Sequence, residues 1–367
     1  MHISTVHPRY DTRIFHKECV SLAAVGCEVA LLVADGLGDE KKDGVQIVDV
    51  GIGGNGRRKR MLLGSWRVLN YVCKHKVRAV HLHDPELLVI SLLLRWMGVF
   101  VIYDMHENLP KQILTKSWLP LWVRRPVSVA VRWFERLALR NIPVVMAEES
   151  YIADYGWIRR AAVVQNFPIT QYFADDGIEK FETFTVGYIG GVTRDRGVIS
   201  VLQAISRLRD RGLVVNFECL GPISDEVARA PLFLSALRDG WLHAPGRVDG
   251  KDGWKIIARC HVGVAILRPL PNYVNSWPTK MFEYMAMRLP VVVSAFPLYS
   301  RLIEKISCGL LVNPDDVEKI ASAFEFIMNN FDEAKCMGEN GRRAVMTQFS
   351  WSHEFRKLWD FYEMVLP

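Results

Sequence analysis

The chain has 367 residues, half of them apolar, and a formal net charge of +6. That length exceeds one ordinary domain and predicts two, each with its own core. Residues 1–170 carry 23 Lys and Arg against 16 Asp and Glu, whereas residues 171–367 carry 23 against 24. The basic first half is therefore expected to face an anionic membrane or an anionic substrate, and no motif supports nucleic acid.

The seven cysteines (19, 27, 73, 219, 260, 308 and 336) are scattered, odd in number and without a CxxC pair. They point to a reducing compartment and core packing rather than disulfides or zinc. The opening "MHISTVHPRYD" lacks a basic-then-apolar signal pattern. The most apolar stretch, 87–104, is broken by Arg95 and Gly98 and reads as a helix and a strand rather than a membrane span. The expected location is cytoplasmic.

In chain order, "MHISTV" is a strand candidate, "TRIFHKECVSLAAVG" a helix ending on Gly, and "CEVALLVAD" and "VQIVDVG" strands. "SWRVLNYVCKHK" is a helix, "VRAVHLHD" a strand, "PELLVISLLLRWMG" a helix and "VFVIYDMHE" a strand. A second series starts near residue 183. It runs "TFTVGYIG" (strand), "GVISVLQAISRLRDRG" (helix), "LVVNFECLG" (strand), "GWKIIARC" (helix), "HVGVAIL" (strand), "TKMFEYMAM" (helix) and "LPVVVSA" (strand). "CGLLVNPDD" then leads into the helix "VEKIASAFEFIMNN". Strands alternating with helices predict an α/β chain of two doubly wound parallel sheets. The predicted domains are 1–165 and 166–348, followed by an amphipathic helix at 349–367 that crosses back to the first. Ligand is expected at the carboxyl ends of the strands.

"PNYVNSWPTKMFEYMAMRLPVVVSAFP" (271–297) carries the most specific chemistry. Pro278 suits the first turn of a helix, with Thr279 and Lys280 beside it. A helix N-terminus, a hydroxyl and an ammonium converging there would hold an anion, and a diphosphate fits. Glu283, one turn on along the same face, can accept hydrogen bonds from a ribose diol. A surface loop followed by a capped helix with solvated Lys and Glu is the bland alternative.

"FEYMAMRLPVVVSAFP" resembles the signature of the family-4 retaining glycosyltransferases of the GT-B fold. That family has two Rossmann-like domains facing across a cleft and a pair of Glu residues flanking the donor. Glu283 takes the place of the second Glu, and Asn275 stands where the first would be, with Ser276 beside it. "GYIGGVTRDRGVISVLQAI" resembles the family's phosphate-binding turn. Gly190 and Gly191 would let the backbone approach the ligand. Arg196 would hold the diphosphate, and Arg194 would stand in for a second phosphate-binding Arg. The 242–269 segment resembles the base-binding loop, with backbone at Arg247 and Val248 on the nucleobase. "VIYDMHEN" places His106 near the donor sugar and reacting centre.

The resemblance implies a retaining transferase (hexosyltransferase type) that uses a nucleotide-sugar, in the UDP form, without a metal or other cofactor. The acceptor would be a glycan or polyprenyl-diphosphate-linked glycan of surface polysaccharide (lipopolysaccharide or capsule). A metal held by His81, His83 and His106 has compatible ligand types but no diagnostic spacing. Asp11 and Arg13, where the family usually has a Gly pair, either contact substrate or cap the next helix. Two basic, aromatic stretches, 53–67 and 116–140, suit peripheral binding to an anionic membrane, or else solvated faces of ordinary helices. Two alternatives stay open: a non-catalytic sugar-nucleotide or glycan-binding subunit, and a GT-B sugar-nucleotide epimerase. A nicotinamide oxidoreductase is disfavoured, because no GxGxxG follows an early strand.

Overall fold

The computed structural model describes residues 1–51, 57–116, 119–173 and 177–366, without the side chains of 57–62 and 115. The predicted membrane-facing stretches fall partly on 52–62 and 117–118, so the basic run at 57–60 lies outside the described side chains. The chain forms two compact units: Met1–Asn166 with the stretch from Trp351 onward, and Phe167–Ser350. Among the described residues no helix is long and apolar enough to cross a membrane.

The first unit holds an eight-stranded sheet. Its strands are β1 (His2–Ile3), β2 (Val29–Val33), β3 (Glu40–Lys42), β4 (Val45–Asp49), β5 (Ala79–Leu82), β6 (Phe100–Met105), β7 (Val144–Met146) and β8 (Ala161–Val163). Their order is β3-β4-β2-β1-β5-β6-β7-β8, all parallel except the β3–β4 hairpin. The chain starts in the middle, winds out through β2 and β4, and returns to the other side of β1 at β5. β1 and β5 therefore flank a topological switch point.

The segment Thr12–Cys19 is a wide π-helical run in which His16 N–H reaches back to the Asp11 carbonyl at 3.2 Å. Asp11 caps it, accepting from Arg13 N at 2.8 Å and Ile14 N at 3.0 Å. The apolar 87–104 stretch resolves into helix Leu88–Trp96 and strand β6. The helix is only half-buried: Val89, Leu93 and Trp96 are exposed.

The second unit holds six parallel strands: β9 (Thr185–Ile189), β10 (Asn216–Leu220), β11 (Leu242–Gly246), β12 (Val262–Ala265), β13 (Val291–Ser294) and β14 (Gly309–Val312). Their order is β11-β10-β9-β12-β13-β14. β12 and β13 are buried at every position, which is why they read as continuous small-apolar runs rather than alternating ones. β9 and β12 are neighbours but distant in sequence, so the second unit has its own switch point between them. Helix Thr279–Ala286 is the crossover from β12 to β13. The Tyr284 hydroxyl accepts a 3.0 Å hydrogen bond from Ile189 N–H, which pins this helix to the end of β9.

Candidate functional site

In the second unit, most of the predicted residues lie beyond the carboxyl ends of the strands. Gly190 and Gly191 follow β9, Arg247 and Val248 follow β11, and the 266–278 loop follows β12. Gly190 has φ +130, a conformation other residues rarely adopt. A Cβ built there would lie 2.7 Å from Lys280 Nζ and 3.4 Å from Arg196 Nη1. The two cations thus converge on one glycine, at the switch point. Gly197, at φ +72, closes the same turn, and a Cβ there would meet the Ile266 carbonyl at 1.8 Å. This contact presses the turn after β9 against the loop after β12.

Pro278 occupies the cap position of helix Thr279–Ala286 rather than its first turn, and no side chain caps the helix. Thr279 is exposed while Lys280 is buried, so their side chains diverge instead of meeting. Lys280 folds inward. Its Nζ sits 3.7 Å from the centroid of the Tyr188 ring and has no hydrogen-bond acceptor among the described residues. Burial, and then the nearby Arg196 charge, hold the ammonium well below its usual pKa, with Glu283 opposing. Burial works against the Arg196 charge too, but the phenols of Tyr188 and Tyr273 beside it raise its pKa overall. The result is a corner of two basic groups in which Glu283 is the carboxylate that opposes the downward shift of Lys280.

The remaining predicted residues separate. Arg194 is exposed and paired with Glu226. Asn275 is exposed, and the Ser276 hydroxyl donates to the Asn272 carbonyl. The Tyr299 hydroxyl fixes that loop by bonding the carbonyls of Tyr273 and Ser276 at 2.7 and 2.9 Å. Arg247 is exposed and Val248 half-buried against the core. Tyr188 and Tyr273 were not picked out from sequence. "GYIGG" gives no sign that its tyrosine ring lies under a lysine some 90 positions later.

His106 belongs to the first unit, just past β6. Its Nε2 lies 2.9 Å from Asp104 Oδ2 and 3.2 Å from His83 Nδ1. Arg13 binds Asp104 through two 2.9 Å hydrogen bonds. Burial would raise the Asp104 carboxyl, but Arg13 and His106 more than offset this and hold it well below the usual range. Arg13 is buried and committed to this pair and to the Val164 carbonyl at 2.8 Å. Among the described residues two groups have metal-compatible spacing: His83–Asp104–His106, and His2–Glu18–His81–His83.

Residues 183–330 match the family model for glycosyl transferases group 1, and residues 12–165 match that for a glycosyl transferase 4-like domain. The chain is 24% identical over 286 residues to the MMP alpha-(1->4)-mannosyltransferase of Mycolicibacterium hassiacum, covering 73% of this chain and 66% of that one. It is 20% identical over 190 residues to the capsular polysaccharide biosynthesis glycosyltransferase CapM of Staphylococcus aureus, covering 50% and 47%. The chain thus spans two thirds or less of the length of these relatives. The fold is that of Anabaena HepE in complex with UDP-glucose, with a TM-score of 0.73 at 12% identity over 99% of both chains.

Proposed function

This chain belongs to the family-4, GT-B glycosyltransferases, and from that premise we propose that it is a retaining enzyme whose donor is a UDP-sugar bound by the second unit. The observation that carries the reading is the meeting of Lys280 and Arg196 at Gly190. Two cations beside a bare backbone turn, next to a helix N-terminus, suit a pyrophosphate. Glu283 on that helix is suited to the donor's hydroxyls, and the backbone at Arg247 and Val248 to the base. His106 would serve the reacting centre.

In the proposed reaction the bond between the anomeric carbon and the diphosphate breaks, and the acceptor oxygen bonds to that carbon on the same face. The acceptor's proton passes to a leaving-phosphate oxygen. Arg196 and Lys280 stabilise the charge gathering on the diphosphate, so no metal is required there. One such contact is worth about 3–4 kcal/mol of barrier. The acceptor class is a glycan or a lipid-diphosphate-linked glycan of surface polysaccharide. The aromatic and basic surface of the first unit would bring the enzyme to an anionic membrane.

The test is a thermal-shift panel of UDP-, GDP- and dTDP-sugars on the purified chain. Binding to the folded state raises the melting temperature by mass action. A UDP-sugar should give the largest shift, and no shift with any nucleotide would overturn the reading. Sugar transfer by the purified chain excludes a mere binding subunit. Release or isomerisation of the sugar without an acceptor would favour an epimerase.

A further inference from the structure

The first unit buries a polar cluster that the transfer reaction leaves without a task. Four side chains gather at the β1–β5 switch point: His2 from β1, His81 from β5, His83 just beyond it, and Glu18 from the π-helical run. β1 and β5 set His2 directly opposite His81, and the period-2 pleat puts His83 on the same face as His81. Their exposures are 3%, 3%, 0% and 0% for His2, His81, His83 and Glu18. Neither Glu18 oxygen has a hydrogen-bond donor among the described residues, nor does His81 Nε2 have a partner. Arg13 Nε lies 3.2 Å from Glu18 Oε1 but donates its hydrogen bond to Asp104. Leaving a carboxylate and an imidazole nitrogen unsatisfied in a core is costly, and native folds seldom do so without a reason.

The separations suggest that reason. His2 Nδ1 is 2.9 Å from His83 Nε2. Glu18 Oε2 lies 3.7 Å from His2 Nδ1 and 3.9 Å from His83 Nε2. Zinc bonds nitrogen and oxygen at about 2.0–2.2 Å, so ligand atoms around a tetrahedral ion stand about 3.3–3.6 Å apart. The measured edges bracket that value. The outer shell is also suited: His83 Nδ1 faces Asp104 Oδ2 at 3.2 Å, the carboxylate–histidine arrangement that orients metal ligands. The Tyr362 hydroxyl bonds His81 Nδ1 at 2.5 Å and leaves its Nε2 for an ion.

We propose that His2, Glu18, His81 and His83 bind one zinc ion, tying the amino-terminal strand, β5 and the π-helical run together. With four protein ligands and no exposed position, the site is structural rather than catalytic. It goes beyond the transferase reading and does not depend on it.

The experiment uses the tag-free full chain, loaded with equimolar zinc, dialysed and assayed for metal, with a parallel titration by cobalt(II). The expected result is one equivalent of zinc per chain, intense tetrahedral cobalt bands in the visible, and a lower melting temperature after chelation. Glu18→Gln and His81→Gln should each weaken zinc binding by more than about tenfold. The wild-type measurement keeps the proposal testable even if a variant fails to fold. A wild-type chain that retains no zinc and melts identically with and without chelator overturns it. So does a folded Glu18→Gln and His81→Gln pair that keeps the metal at wild-type affinity. The readout is metal content and melting, so its failure would leave the donor reading standing, and the reverse.

Discussion

The Lys280 ammonium lies 3.7 Å above the Tyr188 ring with no hydrogen-bond acceptor among the described residues, and Arg196 approaches the same side of Gly190. A buried lysine in that position is poised to lose its proton, and burial and Arg196 both push it that way. An incoming diphosphate would reverse the balance by offering opposite charge. UDP binding should therefore take up protons in a pH window below the ordinary lysine range. Calorimetry in two buffers of different ionisation enthalpy measures this directly. Lys280→Met should abolish the uptake as well as weaken binding; equal uptake in wild type and variant would place the titrating group elsewhere.

Arg196 and Glu283 should separate in kinetics. Arg196 is suited to charge that grows on the leaving group, so Arg196→Gln should lower kcat by about a hundredfold to a thousandfold with a modest change in KM. Glu283→Ala should raise KM for the donor and lower kcat together, because sugar or ribose contacts position the reacting carbon. Arg194→Gln, which removes a surface pair with Glu226, should leave both constants near wild type. A large loss with Arg194→Gln would require that loop to turn inward when the donor binds.

The adjacent glycines make a sharper pair. Gly190→Ala puts a methyl group against Lys280 Nζ at a φ of +130, whereas a Cβ at Gly191 finds its nearest neighbour, Arg196 Nη1, at 3.7 Å. Gly190→Ala should cost about 1–2 kcal/mol of stability and most donor affinity. Gly191→Ala should melt near wild type. Melting curves with and without UDP test both, and equal tolerance at the two positions would rule out Gly190 as the close-approach point.

Much of this was legible in the sequence because parallel sheets leave a strong trace. Runs such as "VVVS" and "VGVA" are apolar throughout, since both faces are covered, and each is separated from the next by a helical stretch. The short strands β7, β8 and β11 escaped notice, being too brief to show a period, and so did β3, whose charged "EKK" forms an edge. At the site, the family resemblance together with the strand–helix alternation placed Gly190, Arg196 and Lys280 at one end of the sheet. It could not say which way Lys280 would turn. That depends on Tyr188 and Gly190 from a strand far off in sequence, and the divergence of Thr279 from Lys280 follows from it. Nor could a π-helical run be foreseen from "TRIFHKEC", whose apolar spacing reads as an ordinary helix; the wider turn is what carries Glu18 in beside the histidines.

Glu135 gives the first unit a pH signature. Its carboxyl is buried, accepts a 2.8 Å hydrogen bond from the Tyr155 hydroxyl, and is raised by burial from 4.5 to about 7. The folded chain therefore holds a proton there that the unfolded chain gives up. The stabilisation is full below pH 4.5 and is lost as pH rises through about 7. Its size is about 3 kcal/mol. Glu135→Gln keeps an acceptor for Tyr155 without the ionisation. The variant's melting temperature relative to wild type should climb between about pH 5 and pH 8 by about 5 °C or more. A difference that stays flat across that window would show that Glu135 does not titrate there.

The exposed face of helix Leu121–Leu139 sets up the last test. Leu121, Trp122, Trp133 and Leu137 are 76%, 81%, 66% and 64% exposed, with the exposed Arg125, Arg132 and Arg136 among them. Trp96, on the neighbouring helix Leu88–Trp96, is 87% exposed. Isolated surface tryptophans are common enough, but three beside a row of arginines match the interface of an anionic bilayer: rings at headgroup depth, guanidinium groups on phosphates. The chain should co-sediment with phosphatidylglycerol vesicles, less so as salt is raised, and not with pure phosphatidylcholine. Removing Arg125 and Arg132 together should weaken binding by about tenfold to thirtyfold, near 1 kcal/mol each. Trp122→Ala with Trp133→Ala should weaken it on both sides of the salt range, because the apolar part is not screened. If the arginine pair matters and the tryptophan pair does not, the attraction is electrostatic adsorption without insertion. If neither matters, this face does not meet a membrane.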